Sequence, residues 1–183
     1  MYKRQRFGWL RDFAALPAER DLPVTSFTVR EHTAAQVIGY NKVAATFHML
    51  RAEIGEPAFD AGIKALWRDY AGRTAGWDDI ETVFASTADR DLTGFFNQWT
   101  RRRGAPAFAL TRTDAVQDDE GWRVDVTVVQ SAPVYEVTLP LVIETDDGRH
   151  KVSVRMDGRR AQARFQTAAP PRAVTIDPDY HLF

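Results

Sequence analysis

The sequence contains few residue types in arrangements that could bind a metal or carry out acid–base chemistry. A zinc-binding helix presents two His at positions i and i+4, because that spacing lets both rings reach one ion. None of the four histidines has another His four residues away, no Asp or Glu pattern completes a ligand set around them, and cysteine is absent. We therefore expect no zinc site made wholly by this chain, no disulfide and no cysteine nucleophile. The histidines are His32, His48, His150 and His181.

Two of these histidines also have simpler structural interpretations. His48 stands beside the apolar stripe of a predicted helix, where a core-edge histidine hydrogen-bonded to a neighbour is the plainer alternative to a ligand or base. Glu31 and His32 precede the same helix and fit first-turn capping. No Gly-x-Ser-x-Gly elbow or Gly-rich phosphate loop occurs. Two adjacent carboxylate pairs are expected in a helix cap and a turn: Asp78-Asp79 and Asp146-Asp147.

Charge and composition exclude several classes of partner. The 183 residues contain 24 Lys plus Arg against 25 Asp plus Glu, so no long-range field would attract nucleic acid. The one basic cluster, Arg101 to Arg103, stands at a predicted helix end, where we expect it to complement the helix dipole rather than to bind phosphate. No apolar run approaches the roughly 20 residues that span a bilayer, and no apolar stretch follows the N-terminal charges as in a secretory signal. Cytoplasm and periplasm both remain possible locations.

A long helix is predicted from about Thr33 to Ile54 in the first half of the chain. Its apolar residues recur at steps of three or four and should form one buried stripe. Before it, the spacing predicts a short helix over about 7–15 and an extended connection over about 21–30. The stripe consists of Val37, Tyr40, Ala44, Phe47 and Leu50.

Three further helices are predicted before Gly104. Pro57 opens the first of them and Gly72 closes it. A second begins at Thr74 or Gly76, and Asp89 or Asp91 caps the third. Their predicted inner faces are Phe59, Ile63, Leu66, Trp67 and Tyr70; then Trp77, Ile80, Val83 and Phe84; then Leu92, Phe95, Phe96 and Trp99.

After Pro106 the period of the apolar residues changes from helical spacing to two. Val124, Val126 and Val128 alternate with polar residues, as burial on one side of a sheet requires. Six or seven antiparallel strands in under 80 residues indicate a small β-sandwich. The predicted strands cover about 108–113, 122–130, 134–144, 149–156, 162–167 and 173–176. Hairpin turn chemistry is expected at 118–121, 146–148 and 157–158.

Six short motifs follow one another in a fixed order: Ile38–Val43, Phe47–Arg51, Ile54–Phe59, Trp77–Ile80, Phe95–Trp99 and Gly104–Pro106. In this order they resemble the gluzincin zinc aminopeptidases (peptidase family M one), which include alanyl aminopeptidases and leukotriene A hydrolase. The later stretch Val174–Asp179 is similar to the last strand of the β-sandwich that follows the catalytic domain in that family. Val43 departs from the pattern, where the family commonly has Gly.

The resemblance implies a role for Tyr40. It matches the tyrosine of the family's Tyr-x-Lys-Gly motif, whose phenol donates a hydrogen bond to the oxyanion of the tetrahedral intermediate, opposite the zinc. A neutral donor already in place can stabilise a charge that exists only near the transition state. Spacing alone favours a plainer interpretation, an aromatic residue on a buried helix face.

The family's zinc ligands and its residues for the substrate amine precede this tyrosine, and no counterpart occurs here. We therefore expect the chain to be a C-terminal part of a longer protein whose upstream part holds the zinc. The first five residues resemble the translation of a sequencing-library adaptor, which would explain a truncation; a genuine basic helix start is the alternative.

The resemblance therefore implies an α+β protein. Residues 6–104 would form the helical half of a thermolysin-like catalytic domain, and residues 105–183 the following antiparallel β-sandwich. The parent would be a zinc aminopeptidase acting on peptides, and this chain would be inactive without the N-terminal part of the same protein. The alternative is a non-catalytic, aminopeptidase-like scaffold that binds protein partners. A large exposed apolar face on the helices would favour a part of a larger domain over a self-contained adaptor.

Overall fold

The two halves of the chain form different kinds of secondary structure. A computed structural model describes residues 3–28 and 33–183. The chain divides into residues 1–104 together with Phe183, here called the helical unit, and residues 105–182, the strand unit. Helices form the first unit and antiparallel strands the second, so the α+β class expected from the sequence is confirmed.

Among its described residues, the helical unit contains α-helices, two π-helical stretches and two short 3₁₀ helices, Ala18–Arg20 and Val24–Ser26. Its elements are α1 (Lys3–Ala14), α2 (Thr33–Gln36), π1 (Val37–Lys42), α3 (Val43–Ile54), α4 (Glu56–Tyr70), α5 (Trp77–Ala88), α6 (Thr93–Phe96) and π2 (Asn97–Arg101). The long helix predicted from the sequence is thus α2, π1 and α3 in succession. The connection predicted to be extended contains a 3₁₀ turn at Val24–Ser26 instead, and Val24 is buried there. Residues 29–32, with Glu31 and His32, lie outside the described residues.

Aromatic side chains from several helices form the core of this unit. Phe84 of α5 is fully buried; the Phe59 ring stacks on it at a centroid distance of 5.4 Å, and the Phe47 ring meets it edge-on at 6.0 Å. Helix α4 approaches so closely that a Cβ at Gly62 would lie 2.4 Å from the Phe84 ring. The buried centre of the cluster consists of Leu50, Phe84, Leu92 and Phe96.

The predicted inner faces are correct for α5 and α6 but not everywhere. Ile63 and Trp67 of α4 are 44% and 78% exposed, so their assignment to the inner face is wrong. Tyr40 is 54% exposed, and its assignment to a buried stripe is also wrong. The buried positions of π1 are Val37, Ile38 and Lys42.

The strand unit consists of two three-stranded antiparallel sheets, in the orders β1-β2-β5 and β4-β3-β6. The three alternating valines of β2 are at most 2% exposed, as their spacing predicts. Leu139, Leu141 and Ile143 of β3 are similarly buried in the other sheet. The strands are β1 (Phe108–Asp118), β2 (Gly121–Gln130), β3 (Val137–Thr145), β4 (Gly148–Met156), β5 (Arg160–Thr167) and β6 (Pro171–Ile176).

Two of the three predicted hairpin turns join paired strands. The β1–β2 and β3–β4 turns end at Gly121 and Gly148, whose φ angles of 123° and 143° favour glycine. The turn at Asp157 and Gly158 instead leads from β4 to β5, which belong to different sheets, so the hairpin expected there is wrong. Gln130 fixes this region, because its amide donates to the carbonyls of Tyr135 and Gly158 at 2.9 and 2.8 Å.

Candidate functional site

Tyr40 presents its phenol at the surface of the helical unit. Its side chain is 54% exposed, and within the described residues its hydroxyl forms no hydrogen bond. The ring meets the edge of the Phe27 ring at a centroid distance of 5.8 Å and an interplanar angle of 74°. The ring is therefore supported on one side, while the hydroxyl is available to donate to a ligand.

The π-helical turn explains why Tyr40 faces outward. Hydrogen bonds from i to i+5 add a residue to the turn and change which side chains face the core. Ile38 and Lys42 become the buried positions, and Tyr40 between them is displaced to the surface. Such π-helical turns occur frequently at functional sites.

Gly39 lets an aromatic ring lie directly against this turn. A Cβ at Gly39 would be 2.4 Å from the Phe27 ring, closer than any real contact. The same Phe27 ring supports Tyr40. A side chain at position 39 would therefore displace the ring that holds the tyrosine.

Lys42 is buried two residues after Tyr40. Its side chain has no exposed surface, and its Nζ donates to the carbonyl of Gly104 at 2.8 Å and to that of Arg102 at 3.4 Å. The ammonium also lies 5.5 Å from the centroid of the Phe13 ring. Burial lowers the pKa of Lys42 to about 8; the charge of Asp21 opposes this effect, and Arg102 adds to it.

Two carboxylates complete the surroundings of π1. Asp21 accepts a hydrogen bond from the backbone N–H of Gly104, the residue whose carbonyl binds Lys42. Its second oxygen, Oδ1, is buried without a hydrogen-bond partner in the part of the chain that the structure describes. Asn41 donates to Asp12 of α1 at 3.5 Å. Tyr40 thus lies on a segment attached to α1, to the 21–27 connection and to the end of π2.

The residues described by the structure do not fit a zinc site. Among them, no group of three or more His, Cys, Asp or Glu side chains could hold a metal ion. His48 lies partly buried on α3, and His181 is exposed in the strand unit. No described helix is long and apolar enough to cross a bilayer.

A Thr, His and Asp cluster in the β3–β4 hairpin resembles a catalytic triad only in composition. His150 Nε2 lies 3.0 Å from both Asp147 Oδ1 and Thr145 Oγ1, so one ring nitrogen faces both partners. A triad needs the carboxylate and the hydroxyl on opposite ring nitrogens. Thr145 also donates to Asp147, and these bonds lower the pKa of the Asp147 carboxyl, Thr145 having the larger effect. The cluster fixes the turn.

The other carboxylate pair and Arg101 of the basic cluster have structural roles. Asp79 accepts a hydrogen bond from the backbone N–H of Gly76 at 2.8 Å, as the prediction of a helix cap requires. This bond, with a second from the Tyr70 hydroxyl, lowers the pKa of Asp79. Arg101 pairs with Asp78 and with Glu81. It therefore binds carboxylates of α5.

Sequence reasoning selected Tyr40 but missed Lys42 and Asp21. One signal was available for Lys42, which follows the apolar Ile38 by four residues and precedes Ala45 by three. A charged residue at helical spacing between apolar ones indicates a buried charge that needs partners. Its hydrogen-bond partners lie about 60 residues later in the chain, so no local sequence pattern indicates them.

The known proteins that share sequence or fold with this chain include two aminopeptidases. Aminopeptidase N of Caulobacter vibrioides is 32% identical over 71 residues, which are 39% of this chain and 8% of that protein. The crystal structure of Legionella pneumophila aminopeptidase A in complex with aspartic acid matches with a TM-score of 0.64. That match covers 86% of this chain and 20% of the other at 14% identity, and therefore shows the fold. No protein-family profile matches. The resemblance to aminopeptidases drawn from the six motifs is confirmed.

Proposed function

We propose, from this similarity to aminopeptidases, that the chain forms one wall of the substrate cleft of a peptidase that removes N-terminal residues. In this proposal Tyr40 donates a hydrogen bond to the oxyanion formed when the first peptide carbonyl is attacked. The observation that carries the proposal is the Tyr40 phenol, which is exposed on a π-helical turn and has no hydrogen-bond partner among the described residues, at the motif position of the family's tyrosine.

The role proposed for Tyr40 depends on preorganisation of its phenol. A donor held in place before the reaction needs little reorganisation when negative charge develops on the carbonyl oxygen. Phe27 supports the Tyr40 ring, and Lys42 anchors the same turn. Removal of one such donor typically lowers the rate about 100- to 1,000-fold. Because the charge exists only near the transition state, the loss should fall on kcat rather than on substrate binding.

The proposal assigns any zinc and its ligands to sequence outside this chain, because the described residues hold no ligand set. The chain matches 20% of the length of the solved aminopeptidase, which is consistent with other parts supplying those groups. The 183-residue chain alone is expected to release no amino acid from a peptide.

Exposed apolar residues of α4 support a second part of the same protein as the covering partner. Trp67 is 78% exposed, and Ile63 lies one turn earlier on the same side of the helix. Contiguous exposed apolar patches are typical of surfaces that another protein covers. The same observation fits the alternative function, a non-catalytic aminopeptidase-like scaffold for other proteins.

The proposal is tested by expressing the complete reading frame that encodes these 183 residues. Release of N-terminal residues from peptides, lost with Tyr40→Phe and retained with Tyr70→Phe, would support the proposal. Tyr70 is the control because its hydroxyl donates to Asp79, elsewhere on the helical unit. A folded, full-length product without aminopeptidase activity would exclude the enzyme and favour the scaffold.

A further inference from the structure

Lys42 is a lysine with no exposed surface, and it takes no direct part in the reaction proposed above. We propose that Lys42 is a positioning residue, which holds the Tyr40-bearing turn π1 by binding the main chain at Arg102 and Gly104. The consequence for catalysis rests on the function proposed above. The brace itself rests only on the geometry of the helical unit.

The Lys42 ammonium has main-chain carbonyls as hydrogen-bond partners. A buried ammonium is unfavourable unless hydrogen bonds replace its water. Lys42 Nζ meets this need with two main-chain carbonyls, those of Gly104 at 2.8 Å and Arg102 at 3.4 Å. Both carbonyls lie just beyond π2, which ends at Arg101. The same bonds therefore satisfy the ammonium and attach Lys42 to the segment that follows π2.

The backbone at Gly104, which accepts a hydrogen bond from Lys42, is itself held in place. Gly104 has a φ of 88°, a left-handed conformation that favours glycine. Its carbonyl binds Lys42, while its N–H donates to the carboxylate of Asp21. Gly104 is thus held from both sides. The Asp21 charge also attracts the Lys42 ammonium.

The hydrogen bonds of Lys42 act on the same π-helical turn that carries Tyr40. Lys42 is the last residue of π1, and Tyr40 lies two residues earlier within the same π-helical turn. An ordinary α-helical turn would restore the predicted stripe, in which position 40 faces the core. The bonds from Lys42 to residues 102 and 104 favour the π-helical arrangement, because they keep position 42 inward. Loss of these bonds should therefore alter where the Tyr40 hydroxyl points.

The brace is tested first on the 183-residue chain by amide hydrogen exchange. Lys42→Met keeps an unbranched apolar side chain of similar length and removes the donors. We expect exchange of the Val37–Lys42 amides to accelerate at least about tenfold, with the strand unit unchanged. Lys64→Met is the matched control, because Lys64 is exposed on α4 and should leave these amides unaffected. Unchanged exchange in folded Lys42→Met would overturn the proposal.

A second variant covers the case in which Lys42→Met fails to fold. Asp21→Asn keeps an oxygen that can accept from Gly104 and removes only the charge that attracts Lys42. We expect a smaller acceleration of the same amides, about threefold, confined to π1 and residues 102–104. Exchange equal to the unmodified chain would overturn the brace.

The catalytic consequence is tested in the product of the complete reading frame. Lys42→Met should lower kcat about 10- to 100-fold with KM nearly unchanged, because a displaced donor weakens transition-state binding selectively. An unchanged kcat, together with inactive Tyr40→Phe, would refute positioning by Lys42 and leave the proposed function intact. Conversely, full activity of Tyr40→Phe would refute the proposed function, while the exchange experiment would still decide the brace.

Discussion

Lys42 should contribute to a rise in the free energy of unfolding when the pH is raised from 7 to 10. Its pKa is about 8 in the folded protein, because burial disfavours the ammonium, against an ordinary value of 10.5. Below pH 8 the lysine is protonated in both states, and above 10.5 it is neutral in both. Between these values the unfolded chain binds the extra proton, so the free energy of unfolding rises with pH.

The difference between the two pKa values sets the size of the effect. Each pKa unit corresponds to about 1.4 kcal/mol, so Lys42 should contribute about 2 to 3 kcal/mol to the free energy of unfolding between pH 7 and pH 10. Other groups titrate in the same range, and only a difference between variants isolates this term. Lys42→Met removes the group, and exposed Lys64→Met serves as the control.

The assay is urea unfolding at pH 7, 8, 9 and 10, followed by circular dichroism at 222 nm, where the helices dominate the signal. The stability of the unmodified chain minus that of Lys42→Met should rise across the series by the predicted amount. The same comparison with Lys64→Met should stay flat. A flat difference for Lys42→Met would refute the reasoning, since it would mean that burial does not disfavour the lysine charge.

Three further substitutions test the packing and the site. Gly62→Ala should destabilise the helical unit by about 1 to 3 kcal/mol, because its Cβ would clash with the Phe84 ring. Gly94→Ala should be neutral or stabilising, because no described residue outside its own helical turn lies within 4 Å of the added Cβ. Equal urea midpoints of the two variants would contradict this. Gln130→Leu should destabilise the strand unit by about 2 kcal/mol or more, because it removes three hydrogen bonds to buried or half-buried backbone groups. Gln166→Leu should not, because Gln166 is exposed, and thermal unfolding of both variants would show the difference. Tyr40→Phe should change the unfolding free energy by less than about 0.5 kcal/mol, since the Tyr40 hydroxyl forms no hydrogen bond with a described residue. A larger loss of stability would indicate a structural role for the hydroxyl.

Local patterns were sufficient to predict the class and most elements of this fold. The alternating valines of β2 predicted one-sided burial, and the structure confirms it. The turns ending at Gly121 and Gly148 were also predictable, because their chemistry lies within four residues. Each of these features depends on near neighbours in the sequence.

The site was less predictable, because its geometry depends on distant parts of the chain. Helical spacing assumes a regular period, so it placed Tyr40 inside, whereas π1 turns it outward. Lys42 is buried because carbonyls about 60 residues later accept its hydrogen bonds. Trp67 was expected inside because it is apolar, but no described part of the chain covers it. Periodicity contains no information on any of these tertiary relationships.

The central claim is that Tyr40 stabilises the transition state of peptide hydrolysis. The most direct measurement uses the product of the complete reading frame and a peptide analogue whose first carbonyl is replaced by a tetrahedral phosphinate. Tyr40→Phe should weaken binding of this analogue by about 100-fold or more and change the affinity for the matching peptide by less than about threefold. Equal affinities of the Tyr40→Phe variant and the unmodified protein for the analogue would contradict the account.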